Sequence, residues 1–328
     1  MARRNGSIRT ALLAGSMLAL AAPAIAADVT PERLANPEPQ NWLMNHRTYN
    51  GQRFSPLTLI NKDNVKNLKL AYAVPLGGGA GNEYSVATPL AEDGFLYITD
   101  AWGVLYKIDG TSGDAGRIVW RMDPKQERLQ RNRGAALWGN LVISGAGIAP
   151  RIIATNKETG KVVWETGFAD TPDVTFTSAP LAIKDKIIIG AANGDQGVRD
   201  WIGGLDAATG RRLWRQFTIP APGEAGSETW KGNTNAWQTG GGAVWVTGTY
   251  DPETNQTIWG TGNPVPMFDP TYRPGDNLYT NSAISWDPDT GKMNWFFQFT
   301  RRGCMYAWSR PSSAATTGQV ATRPFAFI

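Results

Sequence analysis

The stretch 240–263, GGGAVWVTGTYDPETNQTIWGTGN, holds the residue types in this chain best suited to chemistry. Three glycines lead to a tryptophan, Asp251 to Thr254 supply a turn, and a second apolar run closes in Gly260-Thr261-Gly262-Asn263. It reads as a strand, a turn and a strand, with small residues that leave room for a flat ligand and an amide that a metal can use. Glycine-rich hairpins are also common structural units, so the surrounding sequence must decide between the two readings. Other chemistries are excluded by count. His46 is the single histidine and Cys304 the single cysteine, which rules out a zinc site built from Cys and His and an intrachain disulfide and argues against triads that need His. His46 sits in the polar run 45–53 without a second ligand nearby and reads as a surface or structural residue.

The elements that must position such a site are strands. Fourteen Trp, 37 Gly and 21 Pro in 328 residues, with few long helical patterns, predict an all-β, turn-rich chain. Residues 1–27 read as a cleaved signal peptide: Arg3, Arg4 and Arg9, an apolar run over 11–22, and the small-residue pattern Ala24-Ile25-Ala26. Export to a bacterial periplasm is expected, with no membrane span. The net charge of +4 is carried by the ends. Discounting three arginines in the leader and four in 301–328 leaves −3 for the body, so no nucleic-acid partner is implied.

A unit recurs within 28–300. The copies are 107–120 (KIDGTSGDAGRIVW), 154–164 (ATNKETGKVVW), 204–214 (GLDAATGRRLW) and 285–295 (SWDPDTGKMNW). Each carries a Gly four residues before a Trp, at positions 120, 164, 214 and 295. Intervals of about 40–50 residues are those of a four-stranded propeller blade, and the longer last interval predicts an insertion between 218 and 240. Each blade has two faces to cover. The Trp of one blade is therefore expected to pack on the next, with the Gly permitting close approach. The run 68–74 reads as a further strand, assigned to a closing blade. Recurrent tryptophans could equally be mortar in a propeller that binds no cofactor.

Taken together, Trp42, the segment 49–59, the TGxxxW repeats, the 240–263 hairpin and the run Arg273-Pro274-Gly275-Asp276-Asn277-Leu278-Tyr279 resemble the quinoprotein alcohol dehydrogenases nearly continuously over 28–300. That resemblance implies an eight-bladed β-propeller, pyrroloquinoline quinone (PQQ), and a calcium or lanthanide ion. It makes Trp245 the platform under the quinone, Arg133 and Thr177 cofactor contacts, Glu83 a further cofactor contact, and Asn263 and Asp195 metal ligands. Asp195 stands where the family usually has a glutamate, which shortens its reach by roughly 1.5 Å. Other departures are the absence of adjacent cysteines in the body, Ala192 where a small hydroxyl residue is often found, and a longer spacing from Glu83 to Pro89.

The implied reaction is oxidation of an alcohol by hydride transfer to PQQ, with the metal as Lewis acid, a carboxylate taking the proton, and electrons leaving to a c-type cytochrome. The resemblance places that aspartate base just beyond Thr300, at the end of the strand-like run 294–300. The following segment, 301–328, offers no Asp or Glu, so no catalytic residue is assigned. The expectation is therefore an aberrant tail after Thr300, from a frameshift or truncated reading or else a genuine short variant, on about four blades of an incomplete ring, impaired in activity and able to associate through open propeller edges. A non-enzymatic propeller scaffold of the cell envelope is the competing class.

Overall fold

The computed structural model describes residues 28–77, 85–111, 113, 115–147, 149–232 and 235–301. The leader, Glu83 and the tail 302–328 with Cys304 lie outside the described residues. Among the described residues sixteen strands form four antiparallel sheets, each a four-stranded meander in chain order. Blade one comprises β1 (Leu90–Glu92), β2 (Phe95–Thr99), β3 (Leu105–Asp109) and β4 (Arg117–Met122). Blade two comprises β5 (Ala135–Trp138), β6 (Leu141–Ala146), β7 (Arg151–Asn156) and β8 (Val162–Gly167). Blade three comprises β9 (Leu181–Ile183), β10 (Lys186–Gly190), β11 (Trp201–Asp206) and β12 (Arg212–Phe217). Blade four comprises β13 (Thr249–Asp251), β14 (Gln256–Gly260), β15 (Ser282–Trp286) and β16 (Met293–Gln298).

The fold is all-β and forms part of a propeller. Although β1, β5 and β9 are edge strands of their sheets, their side chains are largely buried, which puts them toward the centre. The fourth strands alternate between exposed and covered positions and form the rim. Among the described residues no helix is long and apolar enough to cross a membrane.

Each recurrent tryptophan joins its blade to the next. The indole N–H of Trp120 donates to the carbonyl of Lys157 at 2.9 Å, that of Trp164 to Ala207 at 3.1 Å, and that of Trp214 to Pro288 at 2.9 Å. Each acceptor lies in the turn before the following blade's fourth strand. Three residues on, a Cβ added to Gly160, Gly210 or Gly291 would fall 2.8, 2.4 or 2.5 Å from the same indole. The glycine is thus required by the contact and by its left-handed backbone, with φ near +70° in all three turns. Trp295 instead donates to Gln256 Oε1 of its own blade at 2.9 Å. In all four blades one residue before the Trp is bulged out of the ladder, which breaks the register at the same place.

The run 68–74 forms no strand. It is extended, with Leu68 and Leu70 exposed and no ladder partner among the described residues. Apolar alternation made it resemble a strand, but a strand exists only through its neighbour's hydrogen bonds. Tyr72 nevertheless occupies the position of a joining tryptophan, since a Cβ on Gly116 would lie 2.4 Å from its ring. The predicted hairpin also needs correction: only 249–260 is a β-hairpin, and Trp245 precedes it in a loop. The strand-like run 294–300 ends earlier than its apolar pattern suggests. The last ladder pair of β16 joins Gln298 to Ser282, and Phe299 and Thr300 lie outside the strand. The long connection after β12 lies where the spacing predicted it, over 218–248. A second one, 261–281, was not anticipated and separates β14 from β15.

Residues 28–53 form a strap that touches every blade. Val29 bridges to Gly139, Trp42 to Ala91, the Tyr49 hydroxyl donates to Ala182 O at 2.9 Å, and Tyr250 N donates to Tyr49 O at 3.1 Å. A short helix, α1 (Pro31–Ala35), anchors it. Thr30 Oγ1 caps the Arg33 amide, and the Arg33 guanidinium pairs with Glu38, Glu92 and Asp93. Glu92 also meets Lys157 at 2.8 Å, with both side chains fully buried between blades one and two.

Candidate functional site at one end of the blades

The meander decides which residues can meet. In an antiparallel pair the start of one strand and the end of the next lie at the same end. Arg133 and Thr177 precede the first strands of blades two and three, and Trp245 precedes that of blade four. Asp195 and Asn263 follow the second strands of blades three and four. All five therefore project from one end.

The loops that carry them are tied to one another by backbone bonds. Gly241 N donates to Val198 O at 3.0 Å, Gly242 N to Asn263 O at 3.1 Å, Gly262 N to Ala243 O at 2.8 Å, and Val265 N to Gly240 O at 3.0 Å. Gly241 sits at φ +80°, and a Cβ there would approach Asn263 O to 2.7 Å. The glycines of the 240–242 run thus let three chain segments close on one another.

Within this frame Arg133 Nη1 donates to Thr177 O at 3.1 Å, and Thr177 Oγ1 donates to Trp245 O at 3.3 Å. The Arg133 guanidinium carbon lies 4.8 Å from the Trp245 ring centroid, a cation–π contact. Burial, reinforced by Arg131, lowers the pKa of Arg133. Trp245 is 46 % exposed, so much of the ring is open to a ligand. Asn263 Nδ2 donates to Asp195 Oδ1 at 3.2 Å. A cation between these groups would require the Asn263 amide to turn its oxygen toward Asp195.

One of the expected positions is not brought into this group. Glu83 lies outside the described residues. Thr300, the landmark beyond which the base is expected, is half-buried. The backbone is held up to its neighbour, where Phe299 N donates to Asn281 O at 2.9 Å. Of the residues after Thr300 only Arg301 is described, and it is no base.

Two further residues carry the site and a third is buried under it, none of them singled out as part of it. Asn45 Nδ2 donates to Arg133 O at 3.1 Å, and His46 Nε2 meets Thr247 O at 2.9 Å. His46 Nδ1 accepts from Arg53 Nε at 3.1 Å, which makes Nε2 the protonated nitrogen. Burial lowers the His46 pKa, and the ring serves as a structural brace from the strap to the Trp245 loop. The third is Asp200, just before β11, fully buried with no side-chain hydrogen bond or ion pair to either carboxylate oxygen. Burial raises its pKa well above the usual carboxylate range. Its signal in the sequence was an acid adjoining the apolar run of a strand.

One end of the partial propeller thus gathers an exposed aromatic ring, an arginine, a hydroxyl and an amide–carboxylate pair. The family model described as PQQ: glucose/ethanol/alcohol dehydrogenase, beta-propeller domain, matches residues 42–307. The chain belongs to this family. It is 37% identical over 310 residues to the quinoprotein alcohol dehydrogenase PedH of Pseudomonas putida, covering 87% of this chain and 51% of that protein. It is 35% identical over 327 residues to methanol dehydrogenase [cytochrome c] subunit 1 of Methylorubrum extorquens, covering 88% and 50%.

Among solved structures, quinohemoprotein alcohol dehydrogenase ADHIIG of Pseudomonas putida HK5 superposes with a TM-score of 0.78 at 34% identity, over 85% of this chain and 43% of that one. A europium-containing methanol dehydrogenase does so with a TM-score of 0.72 at 30% identity, over 83% and 50%. The chain spans about half the length of the relatives it matches.

The residues present fit a flat anionic quinone and a hard cation. Trp245 offers an open aromatic face, and a Cβ on Gly262 would lie 3.5 Å from Trp245 Nε1, so small residues flank the ring. The candidate cation donors are all oxygens, as calcium and lanthanides prefer. Among the described residues no group of three or more His, Cys, Asp or Glu gathers as a metal cluster, so the pair Asp195 and Asn263 would need ligands from elsewhere.

Proposed function

We propose that this chain binds PQQ together with calcium or a lanthanide, as the front portion of a periplasmic alcohol dehydrogenase that passes electrons to a c-type cytochrome. The observation that carries the reading is the convergence of Arg133, Thr177 and the open ring of Trp245 beside the Asp195–Asn263 pair. When bound, PQQ supplies hydride acceptance at a carbonyl that the cation polarises.

The chain's own residues have distinct tasks. Trp245 supports the flat ligand. Arg133, which lies over the ring, would pair with the anionic groups of the ligand and could exchange a cation–π contact of about 0.5–1 kcal/mol for stronger charge-assisted hydrogen bonds. Thr177 keeps the Arg133 and Trp245 loops in register. Asp195 and Asn263 hold the cation, and Asn45 and His46 brace the loops from behind. Among the described residues none is assigned as the proton acceptor, which this reading expects beyond Thr300.

The test is calorimetric titration of PQQ, with calcium or europium supplied, into the wild type and the Trp245→Ala and Arg133→Ala variants. Saturable binding that falls at least tenfold in either variant supports the reading. A folded wild type that binds no PQQ with either ion would sink it and favour the cofactor-free scaffold.

A further inference from the structure

Asp200 has no task in the reading above, and its surroundings are unusual for a carboxylate. The side chain is fully buried, and no side-chain hydrogen bond or ion pair reaches either oxygen. Its backbone, in contrast, is fixed on both sides. The Asp200 N–H donates to Gly241 O at 3.2 Å, and its carbonyl accepts from Thr218 N and Thr218 Oγ1, each at 3.0 Å. Asp200 is therefore held at the junction of the 193–199 and 240–245 loops, which present Asp195 and Trp245.

The carboxylate points at the turn that carries Asp195. A Cβ on Gly194 would lie 2.7 Å from Asp200 Oδ2 and 2.9 Å from Gly241 Cα. Glycine at 194 thus leaves the space into which the carboxylate fits. Of the groups that act on its charge, the Gly194 amide favours ionisation, whereas burial and the like charge of Asp195 oppose it. As an anion Asp200 has the Gly194 amide beside it but no counter-charge, and as a neutral acid its O–H has no side-chain acceptor. A cation at the Gly194–Asp195 turn removes both difficulties.

We infer that Asp200 is a second carboxylate for the cation assigned above to Asp195 and Asn263. The inference rests on that assignment and deepens it. Asp195 and Asn263 together bring one negative charge, and the short reach of Asp195 draws the ion toward its own turn, beneath which Asp200 lies. Two carboxylates and an amide oxygen make a site of higher charge, so losing Asp200 weakens a trivalent ion more than a divalent one.

The experiment uses the full chain, stripped of ions by chelation and supplied with PQQ, and titrates Ca²⁺ by calorimetry and Eu³⁺ by luminescence. Asp200→Asn is expected to weaken Eu³⁺ at least tenfold and Ca²⁺ by a smaller factor. Europium lifetimes in H₂O and D₂O should report about one additional bound water in that variant. Asp195→Asn and Asn263→Ala should each lose binding as well. Melting of the ion-free Asp200→Asn protein controls for folding and should match or exceed the wild type, because the substitution removes a buried acid. The inference is overturned if Asp200→Asn leaves affinity and hydration unchanged while Asp195→Asn loses the ion, a result that spares the original assignment. If neither Asp195→Asn nor Asn263→Ala affects binding, or the wild type binds neither ion, the assignment falls and the inference with it.

Discussion

Gly210→Ala isolates the joint between blades two and three. Gly210 has φ +73°, where an alanine costs about 1–2 kcal/mol in backbone strain alone. Its Cβ would also lie 2.4 Å from Trp164 Cε3 and 2.7 Å from Trp164 Cδ2, both in a largely buried ring. Forcing that overlap adds about 1–3 kcal/mol, for a total of about 2–5 kcal/mol. Gly223 is the internal control. It has φ +90° and nothing within 4 Å of an added Cβ, so Gly223→Ala carries the backbone cost without the collision. In a domain of this size about 1 kcal/mol corresponds to a shift of about 2 °C, which places Gly210→Ala about 4–10 °C below the wild type and Gly223→Ala about 2–4 °C below. Thermal unfolding followed by tryptophan fluorescence measures both. In a Trp164→Phe background the difference between the two glycine variants should shrink, because the colliding ring is smaller. Equal losses in Gly210→Ala and Gly223→Ala would refute the claim that the indole, rather than the backbone, demands the glycine.

Three other outcomes follow from named contacts. Burial lowers the His46 pKa below its ordinary value near 6.5, so its contribution to stability is present above that pH and is lost as pH falls through the folded value. As the single histidine, His46 gives one imidazole signal in an NMR titration, and a midpoint above 6.5 would contradict the brace. The Arg33 hydrogen bond holds Glu38 down to about 2. Because the carboxylate is well exposed, screening limits its effect to about 0–1 kcal/mol, present above pH 4.5 and lost toward pH 2, and Glu38→Gln should flatten the acid limb of a stability–pH curve by that amount. Lys157→Met strands Glu92 in a buried site with Arg33 as its remaining partner and should cost about 3–5 kcal/mol in chemical denaturation. Adding Glu92→Gln should recover part of it, and strictly additive losses would argue against the pair.

The rim of each blade was legible in the sequence because a local rule builds it. A turn, a glycine and a tryptophan four residues later suffice, and every copy repeats them. The run 68–74 was misread because its alternation carries no information about a partner strand. The candidate site was legible in its types but not in its assembly. Trp245 and Asn263 stand out within one motif, whereas Arg133 reaches Trp245 only through packing of segments about a hundred residues apart. Asn45 and His46 look like ordinary loop residues because their partners are backbone carbonyls, which have no side-chain signature. Asp200 was passed over because burial, not residue type, makes it unusual.

The joint from indole to turn lies on the rim, between a fourth strand and the next blade's last turn. The two long connections, 218–248 and 261–281, leave from other positions and do not interrupt it. Assembly and chemistry are thus written in separate parts of each repeat. Loops at the site end can lengthen, exchange residues or carry an acid such as Asp200 without altering how one blade recognises the next. A scaffold divided in this way can change its ligand by editing one end while its architecture is copied forward unchanged.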